Sequence, residues 1–195
     1  MVQAPVQPLT VEDYLAMTYW PYEGRIEVEN GYIREMPTED RINTRIAFAL
    51  SLRLAQILPP EQISVGHVEV EIPSAKAQFR NPDVMVLDPA HVELLGDGRG
   101  IIRLHMPPPL LVVEVVSPGA ENEKRDYHDK RKDYAARRIP EYWIVDPQKQ
   151  SVLVLHWVNG EYEEEARTGS EPMVSSVLPQ LNLSAEDLLQ ARRSG

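Results

Sequence analysis

Residues 110–116 read Leu-Leu-Val-Val-Glu-Val-Val and constrain the chain more than any other segment. A run this apolar, closed by Ser117-Pro118-Gly119, is a central strand covered on both faces. It is far shorter than the roughly 18 apolar residues that cross a membrane. The rest of the chain must supply neighbouring strands and covering layers. Glu114 inside this run is out of place. An unpaired carboxylate in an apolar interior costs several kcal/mol, so it needs a cation, hydrogen bonds or a proton. The plainer alternative turns Glu114 outward at a sheet edge or pairs it with an arginine. The sharper one makes it a metal ligand at the mouth of a cleft.

Local patterns supply the layers. Thr10 with Asp13 three residues on is a capping box for a short helix to about Met17, stopped by Pro21. Residues 25–29 and 32–36 flank Asn30-Gly31, a strong hairpin signal. Ile42, Ile46, Ala49, Leu50, Leu52, Leu54 and Ile57 recur at helical spacing across 40–58, and Pro59-Pro60 ends that helix. Val68, Val70 and Ile72 alternate with Glu69 and Glu71 as a half-exposed strand. Residues 83–87 form another strand, and 88–108 a loop. Its glycines 96, 98 and 100 lack the Lys-Ser/Thr of a phosphate loop and read as turn chemistry. Residues 121–138 form a charged helix and 142–145 a short buried strand. Asn159-Gly160 turns a second hairpin spanning 151–157 and 161–166, with 161–171 as a solvated acidic edge. Ser184 with Asp187 caps a last helix. The order is that of a mixed α/β (α+β) domain. At 195 residues one domain covers 1–195, with an N-terminal helix and hairpin at 10–36, a core at 40–146 and a C-terminal hairpin and helix at 151–195.

Composition excludes several chemistries. The chain has no cysteine, which removes disulfide scaffolds, Cys-ligated metal sites and thiol catalysis. No signal-peptide pattern opens it, and a cytoplasmic location is expected. The formal charge of −10 argues against a generic nucleic-acid binder. Charge is uneven, however. Residues 124–138 carry seven bases against three acids, a window of +4 that leaves −14 elsewhere.

Other candidates are individually ordinary. Asn81-Pro82-Asp83 is a turn opening a strand, yet two carboxylates on adjacent strands can converge. Oxygen donors without Cys or clustered His suit Mg²⁺ or Mn²⁺. Asp126, Lys130 and Tyr134 share one helix face at i, i+4 and i+8. Lys130 is either a solvated lysine paired with Asp126 or a charge placed to stabilise a phosphate. Glu27 alternates with Ile26 and Val28 and is either a solvent-facing strand acid or part of the same site. The five histidines lack metal-ligand spacing, and Ser117 lacks a matching His and Asp.

Taken together and in order, these pieces resemble the Uma-type family of bacterial restriction-endonuclease-type proteins, a branch of the PD-(D/E)XK nuclease superfamily. The resemblance runs from about Thr10 to about Leu181. It is carried by Glu27-Val28-Glu29-Asn30-Gly31-Tyr32, by Pro82-Asp83 before Val84-Met85-Val86, and by Glu114-Val115-Val116-Ser117-Pro118. Asp126, Lys130 and Tyr134 follow, then Ile139-Pro140-Glu141-Tyr142-Trp143-Ile144-Val145-Asp146. Two departures stand out. The superfamily lysine two residues after the acid is Val116 here, its role moving to Lys130. Many relatives carry His where this chain has Asn43.

The resemblance implies a restriction-endonuclease-like core: one mixed sheet of four or five strands with flanking helices. It implies Mg²⁺- or Mn²⁺-assisted hydrolysis of DNA phosphodiesters. Asp83 and Glu114 would hold the metal, joined by Glu27 directly or through water. Lys130 would orient water or stabilise charge, and Asp126 and Tyr134 would hold Lys130 or simply pack. Glu141, Asp146, Tyr142 and Trp143 would be structural. A homodimer or higher homo-oligomer is expected, burying the 40–58 helix or the hairpin edges. Two alternatives stand beside the endonuclease: a nuclease-fold binding or assembly module that has lost catalysis, and a phosphohydrolase of small nucleotides.

Overall fold

The computed structural model describes residues 7–17, 24–38, 40–96 and 98–190. Thr10 caps α1 (Val11–Leu15) through a reciprocal pair of bonds with Asp13, each 3.1 Å. The expected stop at Pro21 lies outside the described residues. Strands β1 (Ile26–Glu29) and β2 (Tyr32–Glu35) form the first hairpin. Asn30 and Gly31 both take positive φ, 52° and 82°, which is why Asn-Gly turns this hairpin. Asp40 caps α2 (Arg41–Leu54) by accepting the Ile42 N–H. This helix ends short of Pro59, in a turn through residues 55–57.

The chain continues through β3 (Ile63–Ser64), β4 (Glu69–Glu71), β5 (Phe79–Arg80), β6 (Val84–Val86), α3 (His91–Leu95), β7 (Ile101–Ile102) and β8 (Leu111–Val115). A helical stretch follows as α4 (Ala120–Lys124), one π-helical turn (Arg125–Asp129) and α5 (Lys130–Ala136). Then come β9 (Glu141–Asp146), β10 (Ser151–Val158), β11 (Glu161–Thr168) and α6 (Ala185–Gln190).

These strands build two mixed sheets rather than one sheet of four or five strands. One has the order β2-β1-β5-β4-β7 and the other β11-β10-β9-β8-β6-β3. As expected, β8 is central, antiparallel to β6 and parallel to β9, with every residue buried. The 88–108 segment is not only loop. It contains α3 and β7, and β7 pairs in parallel with β4. The β4 strand is not half-exposed either. Glu69 and Glu71 are buried because Arg99 and Arg103 from the 99–103 segment reach them at 2.8 and 2.7 Å. Alternation in the sequence records which residues are polar, not whether a distant cation covers them.

Period-two geometry divides β8 between two cores. Leu111, Val113 and Val115 pack with Ile46, Leu50 and Leu54 of α2 and with Leu188 and Leu189 of α6. Val112 and Val116 face the other way, with Tyr134, Ile139, Tyr142 and Ile144. Each such side chain contributes roughly 1.5–3 kcal/mol of burial, enough to pin the strand register. Glu114 belongs to this second face, beneath α5.

Candidate active site

Glu114 is 2% exposed, so its partners decide whether it can be tolerated at all. Lys130 Nζ lies 2.9 Å from its Oε1, and the Tyr134 hydroxyl donates to the same oxygen at 2.5 Å. Lys130 also sits 3.0 Å from Glu27 Oε1 and 3.8 Å from Asp126 Oδ1. One buried ammonium thus bridges the two sheets, with Glu27 on β1 and Glu114 on β8. The helix delivers it through the π-helical turn, where the Lys130 N–H bonds to Arg125 O. That widened turn leaves Asp126 and Lys130 both buried. Single π turns of this kind recur at functional sites.

Asp83 opens β6. Because Val84 pairs with Val113, Asp83 lies across from Glu114 in the adjacent strand. Its Oδ2 accepts the Val115 N–H at 2.8 Å and its Oδ1 takes Arg25 at 2.8 Å. Glu27 is held from its other side by Arg80, whose Nη1 is 2.8 Å from Oε2. Arg80 is itself buried and also bonds Asp133 at 2.7 Å. Arg125 clamps Asp126 with bonds of 2.9 and 3.2 Å. Asn43 of α2 donates to Val115 O at 3.0 Å and to Ser117 Oγ at 2.9 Å, tying the helix to the end of β8.

The charges do not balance. Glu27, Glu29, Asp83, Glu114, Asp126 and Asp133 face Lys130, Arg80, Arg25 and Arg125. Burial would raise the Glu27 carboxyl, but the Lys130 ammonium and Arg80 guanidinium outweigh it and hold it down at about 2. Glu114 carries the shortfall. Burial pushes it up to about 8, against the pull of Lys130 and with help from the Asp83, Asp126 and Glu27 carboxylates. Lys130 goes up despite its burial, because Glu114, Glu27 and Asp126 surround it. It is therefore a fixed positive charge near neutrality, not a base.

Asp83 also lines a cleft of about 270 Å³, together with Arg25, Asn43, Thr44, Phe48 and His67. Glu27, Glu114 and Lys130 lie buried outside its lining. Among the described residues no three His, Cys, Asp or Glu side chains form a group arranged to hold a metal ion. The donor chemistry nonetheless suits a hard divalent cation. It is all oxygen, its acids outnumber its cations, and the buried Asn81 side-chain oxygen has no hydrogen-bond partner. Both Glu27 oxygens are already held by cations.

All six residues singled out in the sequence gather here: Glu27, Asp83, Glu114, Asp126, Lys130 and Tyr134. The arginines were missed. Arg25, two residues before Glu27, and Arg80, three before Asp83, flank the acids at strand ends, and that juxtaposition was the available signal. Glu141 and Asp146 do hold structure: Glu141 accepts Trp143 Nε1 and the Ser176 N–H, and Asp146 accepts the Tyr127 hydroxyl.

The +4 helix window is mostly spent internally. Lys124 pairs with Asp129 and Arg131 with Glu164, while Arg137 bonds backbone carbonyls. With Arg125 and Lys130 in the buried cluster, Lys132 and Arg138 remain without an ion pair among the described residues.

A family model, Uma2, described as "Putative restriction endonuclease", matches residues 11–186. The chain belongs to the Uma2 family. The matched segment contains the whole buried cluster. The fold also resembles the crystal structure of a protein from Anabaena variabilis described as "a putative nuclease belonging to DUF820". That likeness has a TM-score of 0.70 and 18% identity, covering 95% of this chain and 99% of that one. Among curated protein sequences, none matches. The resemblance to a Uma-type protein and the mixed α/β nuclease-like architecture expected from the sequence thus both hold. No helix among the described residues is long and apolar enough to cross a membrane.

Proposed function

We propose that this Uma2-family chain is a metal-dependent endonuclease that hydrolyses DNA phosphodiester bonds. The observation that carries the proposal is the juxtaposition of Asp83 and Glu114 on paired strands, with Lys130 2.9 Å from Glu114 and a cleft opening at Asp83. Asp83 and Glu114 would hold Mg²⁺ or Mn²⁺, with Asn81 as a further oxygen donor. When bound, such an ion acidifies a water and neutralises phosphate charge.

The chain's own residues do the rest. Lys130, kept protonated by its three acidic neighbours, supplies a fixed charge where negative charge develops. Glu27 and Asp126 orient it, and Tyr134 fixes the Glu114 oxygen it shares with Lys130. Arg25 holds Asp83 at the cleft wall. Asn43, in the position where many relatives carry His, steadies the end of β8.

The test is cleavage of plasmid and linear DNA across a panel of divalent ions. Mg²⁺ or Mn²⁺ supports cutting by the intact protein, and Asp83→Ala and Glu114→Ala abolish it. Absence of cutting across the whole panel counts against the proposal.

One observation favours a second reading, a nuclease-fold binding module without catalysis. Asp83 is engaged by Arg25, and Glu27 by both Lys130 and Arg80. Calorimetry separates the two. An active site takes up Mn²⁺ with a heat that Asp83→Asn removes, and a decayed site gives no such heat.

A further inference from the structure

The cations that sequence pattern assigned to the 124–138 helix are largely consumed, yet α2 carries cations that are not. Arg41 and Arg45 have no ion pair or hydrogen bond from their side chains among the described residues. In a chain of net charge −10, unpaired arginines on the helix that walls this cleft are a local reversal of sign, and a polyanion responds to the local surface. Phe48 continues the same side of the helix, at i+3 from Arg45 and i+7 from Arg41. It lines the cleft that contains Asp83 and is 61% exposed. A phenyl ring exposed this fully gains little from packing within its own chain. Thr44, one turn before Phe48, faces the same cleft.

We propose that this α2 face is a substrate subsite for single-stranded DNA, with Phe48 stacking one nucleobase and Arg41 and Arg45 meeting the adjoining phosphates. The inference rests on the nuclease reading and names the form of substrate for the same site. Two features favour an unpaired strand. A ring face is offered to a base, which in a duplex is already stacked on both sides. The cleft, at about 270 Å³, is at or below the small end of ligand pockets, suited to one nucleotide rather than to a double helix.

The experiment is fluorescence anisotropy of the full chain with a short labelled oligodeoxynucleotide, single-stranded or as a blunt duplex, in EDTA so that binding is read without cutting. The single strand binds more tightly. Phe48→Ala weakens it about ten-fold, a typical loss for one stacked base, and Phe48→Tyr restores it. Duplex affinity changes little. Replacing Arg41 and Arg45 together by Ala lowers the salt slope for the single strand by about 1.4, the value for two phosphate contacts.

Plasmid cleavage in Mn²⁺ is run beside it. If DNA is cut but Phe48→Ala binds the single strand as tightly as the parent, the subsite is refuted and the nuclease stands. If nothing is cut but the Phe48→Ala loss is seen, the subsite stands and the nuclease reading falls. Light scattering covers the other occupant. If Phe48→Ala turns a dimer into a monomer and leaves DNA binding unchanged, a second copy covers this face and the subsite is wrong.

Discussion

Replacing Lys130 with Met keeps most of the side chain's length and removes its charge. In the parent, Lys130 Nζ is 2.9 Å from Glu114 and 3.0 Å from Glu27, all three groups being at most 2% exposed. Glu27 retains Arg80 at 2.8 Å, so the orphaned charge is chiefly that of Glu114. Breaking one side of a buried ion pair costs about 3–5 kcal/mol. For a chain of this size that lowers the melting temperature by about 6–20 °C.

The informative comparison is a double-mutant cycle with Glu114→Gln, read by urea unfolding at pH 9, where the Glu114 carboxyl, pushed up to about 8, is ionised. The amide keeps an acceptor for Tyr134 and carries no charge. The double variant therefore loses about 0.5–3 kcal/mol less than the sum of the two single losses, the coupling typical of contacting groups. If Lys130→Met leaves stability unchanged, or the two losses simply add, Lys130 and Glu114 are not coupled in the folded protein and the argument for their shared site fails.

Other predictions concern the frame around the site. His91 is buried, and its imidazole is held below the ordinary range, first by burial and then by Arg137, against its bond to Pro107 O and the pull of Asp88. The unfolded chain binds this proton more readily, so the destabilisation grows as pH falls below about 6.5. Thermal melts at pH 7.5 and 5.5 show a smaller difference for His91→Leu than for the parent; an unchanged difference rejects the assignment. Gly31 takes φ +82°, and a Cβ there would stand 2.7 Å from Pro8 Cβ and 2.8 Å from Leu9 O. Gly31→Ala costs at least about 1–2 kcal/mol in urea unfolding, from the left-handed backbone alone. Thr10→Ala removes a capping box and costs about 1 kcal/mol in the same assay.

Much of this architecture was legible because local physics governs it. The capping boxes at Thr10 and Ser184, the Asn-Gly turns at 30–31 and 159–160, and the apolar run of β8 depend on near neighbours in sequence. Glu114 could be singled out for the same reason, since a lone acid among valines is an anomaly wherever it lies. What pairs with it was less legible. Lys130 and Tyr134 were nominated together by helical spacing, but Arg25 and Arg80 are brought to Asp83 and Glu27 by strand pairing across more than fifty residues. The division into two sheets escaped for a related reason. Strands such as β5 and β7 are two residues long and exist through their partners rather than through any run of their own. The buried Glu69 and Glu71 repeat the lesson: alternation described their pattern, and Arg99 and Arg103 decided their environment.

In the proposed function, Asp83 and Glu114 form one metal-binding catalytic centre with Lys130. A crystal structure of the protein soaked in Mn²⁺, with the metal located by anomalous scattering, tests it most directly. The expected map shows a manganese peak bonded to carboxylate oxygens of both Asp83 and Glu114, with Lys130 within reach of a ligand on the metal. A map without manganese there, with Asp83 still on Arg25 and Glu114 still on Lys130 at saturating metal, would contradict it.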